Sequence, residues 1–341
     1  MRIRFGVIGC GKVAERVALP QLTRCRLTQV TALVDRNRRA AERLADRFEI
    51  SPRLVWSDWT RMLREAEVDA VAVCLPNHLH AQATLAALQA KKHVMVEKPI
   101  ASRLEDAEAM VAAARRHRRY LMVEQTQRFD PVHEVAHGLL RRRVIGALLQ
   151  ICGRIGHAGP EYWAGGKPGW FVDPRRSGGG ALMDVGAHMV DLLQWLSGQR
   201  IRRVFGQGSR LRKPWPVEDN GSVLVEFAGG AIGAVEASWT TRPYEVATVF
   251  YGERGTLRTT VGASRTVEVL LGREDGAVRK IEHPAVPARS RWGGAYPYFA
   301  RCIRQGIEPE ASGAAGCRTL EVILAAYASM RTGGWVTLPL R

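Results

Sequence analysis

Long hydrophobic runs are missing from this 341-residue chain. No apolar stretch approaches the ~20 residues that a helical membrane span requires, so no membrane partner is expected. Cysteine is sparse and dispersed. Cys10, Cys25, Cys74, Cys152, Cys302 and Cys317 form no CxxC pair. That spacing excludes the common zinc frameworks and a disulfide-stapled fold. The thiols read as buried apolar groups, and no metal site is expected. Lysine is scarce, so the net charge of +17 is carried almost wholly by arginine. The arginines recur in short clusters along the whole chain, such as 36–39, 115–119 and 141–143. There is neither a recognition helix nor an aromatic RNA-stacking motif among them, so no nucleic-acid partner is expected. The sequence opens directly into a β-rich run at 3–9 with no signal-peptide pattern, and the expected location is cytoplasmic.

What is present is a βα alternation over the first third of the chain. An apolar run at 4–8 leads into Gly9-Cys10-Gly11-Lys12-Val13-Ala14, and a helical pattern follows from 13 to about 25. Strand, glycine turn and helix in that order form the setting in which a dinucleotide fingerprint carries meaning. Gly9 permits the tight turn, Gly11 admits a pyrophosphate to the backbone, and Ala14 takes the place of the third glycine. The amides at the helix start, including those of Lys12 and Val13, face the phosphates. The next strand, 28–34, ends at Asp35, where the acid that binds the adenosine ribose belongs. Asp35 favours NAD over its 2′-phosphorylated form. Arg36 follows at once and leaves NADP possible.

The alternation continues with an apolar strand at 70–75 and a turn, Pro76-Asn77-His78-Leu79-His80, at its C-terminal end. Open α/β sheets bind ligands at such ends, so Leu75, Pro76, Asn77 and His80 join the candidate cofactor contacts. Further strands at 93–96 and 120–124 complete six strands in βα alternation. The first of these runs into Glu97-Lys98-Pro99. A lysine there is either an ordinary solvated side chain or a cation fixed where it can hydrogen-bond a reacting hydroxyl.

A second constellation lies at Ser177-Gly178-Gly179-Gly180-Ala181-Leu182-Met183-Asp184-Val185-Gly186-Ala187-His188. The apolar pattern predicts a helix over 182–196, with Asp184 and His188 on one face, one turn apart. The pair is either a structural hydrogen bond or acid–base machinery, and three glycines ahead of it admit a close approach. The loop between, with Tyr162, Trp163 and Trp170, presents aromatics that serve either sugar stacking or loop packing. Six strand-like runs between 201 and 271 predict a mostly antiparallel sheet, followed by a helix at about 318–330 and a last strand at 335–339.

Together, Gly9-x-Gly11-x-x-Ala14, Glu97-Lys98-Pro99 and Gly178-Gly179-Gly180-x-x-x-Asp184-x-Gly186-x-His188 resemble the glucose–fructose oxidoreductase / inositol dehydrogenase / rhizopine-catabolism (Gfo/Idh/MocA) family. Arg128-Phe129-Asp130-Pro131 and the C-terminal run from Phe299 to Pro339 match its habits as well. The resemblance implies an α/β protein with an N-terminal Rossmann domain, 1–124, and a C-terminal α+β domain, 125–341, built on a large, mostly antiparallel sheet. It implies NAD(P)-dependent hydride transfer at a secondary carbinol of a sugar or cyclitol, and a homodimer or homotetramer. Lys98, Asp184 and His188 map onto the family's catalytic trio. Glu97 and Gln125 map near the cofactor and Arg128 near the substrate. A histidine ordinarily titrates near neutrality, which suits His188 as the base. Asp184 would orient it or hold a substrate hydroxyl, and Lys98 would stabilise the developing alkoxide. Two alternatives stay open: a non-catalytic NAD(P)-binding regulator on the same scaffold, and an enzyme that retains NAD while cleaving a glycoside.

Overall fold

A computed structural model describes residues 2–162 and 166–340. The chain divides into two compact units, 1–125 with 292–318, and 126–291 with 319–341.

The first unit holds six parallel strands: β1 (Ile3–Ile8), β2 (Thr28–Val34), β3 (Val55–Trp56), β4 (Ala70–Val73), β5 (His93–Glu97) and β6 (Leu121–Glu124). Their spatial order is β3-β2-β1-β4-β5-β6, so the winding reverses between β1 and β4. Every residue of β4 is buried, as expected of a parallel strand covered on both faces. β3 has two residues, too few to leave a periodic trace in the sequence. The helix after the glycine turn is not uniformly α. It widens into a π-helical turn over Ala14–Ala18 before an α segment, Leu19–Arg24. Pro20 accounts for this. It has no N–H to give Arg16, and its ring would press on that carbonyl in a regular α-turn.

The stretch 292–318 corrects the expected second domain of 125–341, because it packs within the first unit. Its helix, Ala295–Gln305, sets Tyr296 and Phe299 edge-on against Phe5 of β1, with ring centroids 6.5 and 6.4 Å away. The Val123 N–H donates to the Ala311 carbonyl at 2.8 Å. Sequence separation hid this return, since nothing local distinguishes a helix that covers β1 from one that covers the later sheet.

The second unit is built on nine strands: β7 (Leu148–Gly156), β8 (Ile201–Ser209), β9 (Asn220–Phe227), β10 (Ile232–Ser238), β11 (Glu245–Gly252), β12 (Gly255–Val261), β13 (Arg265–Gly272), β14 (Val278–Glu282) and β15 (Val336–Thr337). Their order is β14-β13-β12-β11-β7-β10-β9-β8-β15. All neighbours are antiparallel except β7 and β10. β14 escaped the sequence reading because its residues are exposed on both faces and show no alternation. One face is apolar and buried through Ile151, Val223, Val235, Phe250 and Leu257. The helix Ala187–Ser197 lies on it, so close that a Cβ at Gly153 of β7 would fall 2.3 Å from the Met189 sulfur. The opposite face exposes Leu224, Ile232 and Tyr251 among charged side chains.

Candidate active site

The first unit assembles its candidate residues along the C-terminal rim of its sheet. Gly9 has φ of 95°, and a Cβ there would lie 2.3 Å from the Cys74 carbonyl oxygen. No other residue fits a turn pressed this close to the end of β4. Gly11 is exposed, and a Cβ added to it would meet nothing within 4 Å. The backbone at Gly11 therefore lies open to a close approach from outside. Lys12 and Val13 are exposed at the helix start, while Ala14 is fully buried against the sheet. The Lys12 ammonium pairs with Glu15 at 3.0 Å.

Asp35 closes the other side of the turn. One carboxylate oxygen accepts the Cys10 N–H at 2.8 Å and the other accepts the Asn37 N–H at 2.8 Å. Backbone thus fixes the orientation of the carboxylate, which stays part-exposed, and Arg36 beside it is exposed. The open backbone at Gly11, the amides at the helix start and an oriented acid fit a dinucleotide, which Gly9, Gly11, Val13 and Asp35 would hold.

Leu75 and Pro76 are half-buried at the end of β4, and Asn77 is buried. His80 is a correction. It is fully buried, with Nδ1 2.8 Å from the Pro99 carbonyl and Nε2 2.7 Å from the Leu75 carbonyl. Burial outweighs both acceptors and pushes its pKa down to about 4, so the ring is neutral and donates to one of them. It braces the turn internally and has no surface to offer a cofactor. The Lys98–Pro99 peptide is cis. Lys98 is half-buried at the tip of β5, between buried Glu97 and buried Pro99. Gln125 is buried just past β6.

In the second unit, the stretch from 181 to 193 is buried at every position except two, Asp184 and His188. Asp184 lies in a π-helical turn, Leu182–Gly186, and His188 in the first turn of the helix Ala187–Ser197 that follows it. Such turns widen a helix locally and recur at functional sites. The Asp184 carboxylate accepts the indole N–H of Trp239 at 2.9 Å. The same oxygen lies 3.6 Å from Nε2 of His157. His157 Nδ1 accepts the Gly159 N–H at 2.9 Å, so its proton sits on Nε2, toward Asp184.

Sequence reasoning missed His157 and Trp239 as partners of Asp184. They meet because β7 and β10 run parallel and end in register at Gly156 and Ser238, which sets the next two residues side by side. No local pattern announces a parallel pair inside an antiparallel sheet.

The glycine run has a different reason from the close approach expected of it. A Cβ at Gly179 would fall 2.1 Å from the Tyr327 hydroxyl, and one at Gly180 would fall 2.0 Å from the Glu218 carbonyl oxygen. The Glu218 carboxylate accepts the N–H of Gly180 at 3.0 Å and of Leu182 at 3.0 Å, and the Tyr327 hydroxyl at 2.7 Å. Glu218 thereby satisfies amides that the start of the helical turn leaves open. The glycines make room for protein, not ligand.

Arg128 is also corrected. It is buried, and its Nε and Nη2 both donate to Asp191 at 2.6 Å. Its guanidinium lies 5.7 Å from the Trp195 ring centroid. With its fork committed internally, it leaves the candidate substrate contacts. Tyr162 is exposed and accepts from Arg242 Nη2 at 2.7 Å. Trp170 stacks on Phe171 at 4.0 Å. Trp163 lies outside the described residues.

Comparison with known proteins decides the family. Residues 3–125 match a family model described as an oxidoreductase family with an NAD-binding Rossmann fold, and residues 133–258 match the GFO/IDH/MocA C-terminal domain. The chain belongs to the GFO/IDH/MocA oxidoreductase family. Within it, the chain is 30% identical over 322 residues to dTDP-3,4-didehydro-2,6-dideoxy-α-D-glucose 3-reductase of Saccharopolyspora spinosa, covering 92% of each. It is 27% identical to scyllo-inositol 2-dehydrogenase (NAD(+)) of Bacillus subtilis, over 100% of this chain and 97% of that one. Among solved GFO/IDH/MocA relatives, aldose-aldose oxidoreductase from Caulobacter crescentus, complexed with glycerol, superposes with a TM-score of 0.86 at 26% identity, covering 99% of this chain and 100% of that one.

Proposed function

We propose that this GFO/IDH/MocA protein oxidises or reduces a secondary carbinol of a sugar, sugar derivative or cyclitol with NAD. The observation that carries the reading is the pattern at 181–193, where only Asp184 and His188 reach partial exposure in an otherwise buried stretch. The reading is supported by relatives whose names describe reductases and dehydrogenases of a dTDP-sugar and of scyllo-inositol. Lys98, Asp184 and His188 are the proposed catalytic groups. The dinucleotide supplies the hydride acceptor or donor when bound. His188 takes the carbinol proton as the hydride leaves. Asp184, oriented by Trp239 and His157, holds His188 or a neighbouring hydroxyl. Lys98 stabilises charge that develops on the carbinol oxygen. NAD is preferred because Asp35 meets the ribose and repels a 2′-phosphate.

A homo-oligomer is part of the same reading. The exposed sheet face carries Leu224, Ile232 and Tyr251, apolar groups that a second copy would cover. The buried, unbridged thiols Cys10 and Cys302 suit the cytoplasm.

The test is a panel of sugars and cyclitols followed by NADH absorbance. Turnover by the wild type, and a loss of about 10²–10⁴-fold in His188→Ala and in Lys98→Ala with NAD binding retained, are expected. Near-normal rates in both variants on the true substrate would refute the assignment. Glycoside cleavage without net NADH would point to the NAD-retaining alternative, and tight NAD binding with no turnover to a regulator.

A further inference from the structure

We propose that Glu97 and Glu124 act as a one-proton carboxyl couple whose negative charge makes the protein hold the oxidised dinucleotide more tightly than the reduced one. The proposal rests on the dinucleotide reading above and asks what this chain adds to it.

Strand register draws one row across the rim of the first unit. Ile8 pairs with Val73 and Val73 with Val96, so the residues that follow them, Gly9, Cys74 and Glu97, continue side by side. Glu97 then pairs with Glu124. The row starts at the glycine turn and ends at two carboxyl groups. Asp35 lies on the opposite side of that turn, at the end of β2. A dinucleotide laid over the rim with its ribose at Asp35 and its pyrophosphate at Gly11 sends its nicotinamide half over β4, β5 and β6. The two carboxyl groups lie under that half.

Register partners on parallel strands share a face about 5 Å apart. Glu97 is 9% exposed and Glu124 is 2% exposed. Two buried carboxylates this close do not both ionise cheaply, so the couple retains a proton. The Oε1 atom of Glu97 has no hydrogen-bond partner among the described residues. The groups facing it are Lys98 on its own strand, the Cys74 thiol after β4 and the Tyr296 hydroxyl on the helix Ala295–Gln305. Burial, reinforced by the carboxylates, pushes Cys74 and Tyr296 well up, so neither offers charge. Lys98 is the one cation in this set, and its attraction opposes burial, which still raises Glu97 to about 7.

The oxidised nicotinamide ring is a cation and the reduced ring is neutral. A negative couple beneath it therefore discriminates between them, and the discrimination grows as the couple loses its proton. By linkage, binding of the oxidised form expels part of that proton.

The experiment is isothermal titration of the full-length protein with NAD⁺ and with NADH at pH 6 and pH 8, for the wild type, Glu97→Gln and Glu124→Gln. In the wild type, Kd for NADH divided by Kd for NAD⁺ should rise about tenfold between the two pH values. Each variant should flatten that rise. Near pH 7, NAD⁺ binding by the wild type should release a fraction of a proton, read from buffers of different ionisation enthalpy, and both variants should lose this release. A wild-type ratio that ignores pH, or one that rises equally in the variants, overturns the proposal. Failure of the wild type to bind either dinucleotide overturns the dinucleotide reading as well. If both variants unfold, the infrared band of a buried protonated carboxyl decides: the wild type must show one that titrates near neutrality.

Discussion

Asp184 receives the indole N–H of Trp239 on the same oxygen that His157 faces. Two aromatic partners fix that carboxylate from one side. Trp239→Phe deletes the donor together with the pyrrole ring of a fully buried side chain, so it also leaves a cavity. A hydrogen bond to a charged group is worth about 1.5–3 kcal/mol. We expect kcat to fall roughly 10–100-fold, with circular dichroism unchanged. A variant with wild-type kcat would show that Asp184 needs no such anchor.

The Arg128–Asp191 pair supports the fold. Asp191→Asn strips the countercharge from a guanidinium that is only 7% exposed. Breaking such a buried pair from one side costs about 3–5 kcal/mol. Urea denaturation should register that loss, while replacing both partners together with Arg128→Met and Asp191→Leu should recover much of it. Arg128→Lys, if it folds, should leave KM for the carbinol substrate unchanged. A large rise in KM would return Arg128 to the substrate site.

Stability should depend on pH through Glu97. Its pKa rises from 4.5 to about 7 on folding, so the folded state binds its proton more tightly. That contribution is fully present below the unfolded value of 4.5 and is lost as the pH climbs through about 7. The full loss is on the order of 3 kcal/mol. His80 and His93 act oppositely. Burial lowers both to about 4, so their contribution is present above 6.5 and disappears as the pH falls toward 4. The difference between wild type and Glu97→Gln cancels the histidines. It should favour the wild type at pH 5 and the variant at pH 8, by chemical denaturation. A flat difference would mean that Glu97 titrates normally.

Asp35 also anchors two backbone amides. Asp35→Ser frees the Cys10 and Asn37 amides and removes the negative charge next to Arg36 in the chain. Kcat/KM for NAD should drop about tenfold or more, and that for NADP should rise, because an arginine can then grip the 2′-phosphate. Unchanged discrimination between the two cofactors would place the ribose elsewhere.

The sequence made the first sheet legible because its strands are apolar runs punctuated by glycine turns, and Asp35 falls at the end of one. The helical run that leaves Asp184 and His188 partly exposed was legible for a similar reason, since its apolar residues recur at helical spacing. The partners that give the pair its setting were not. His157 and Trp239 depend on two strands aligned in parallel across about eighty residues of chain. The burial of His80 and Arg128 was equally invisible, because a polar residue near a motif looks the same whether it faces inward or outward. The glycines at 179 and 180 were visible, but their cause, Tyr327 and Glu218, lies far along the chain.

The helix that carries Tyr296 and Phe299 reaches β1 from nearly three hundred residues away. A ribosome emits β1 early and this helix late. At roughly 5–20 residues per second, the nascent sheet waits many seconds with Phe5 uncovered. The first unit is thus completed only after most of the second has been synthesised. A fragment ending at 125 should expose that face and aggregate. Chaperone demand in the cell would then peak midway through translation and fall once residue 318 clears the exit tunnel.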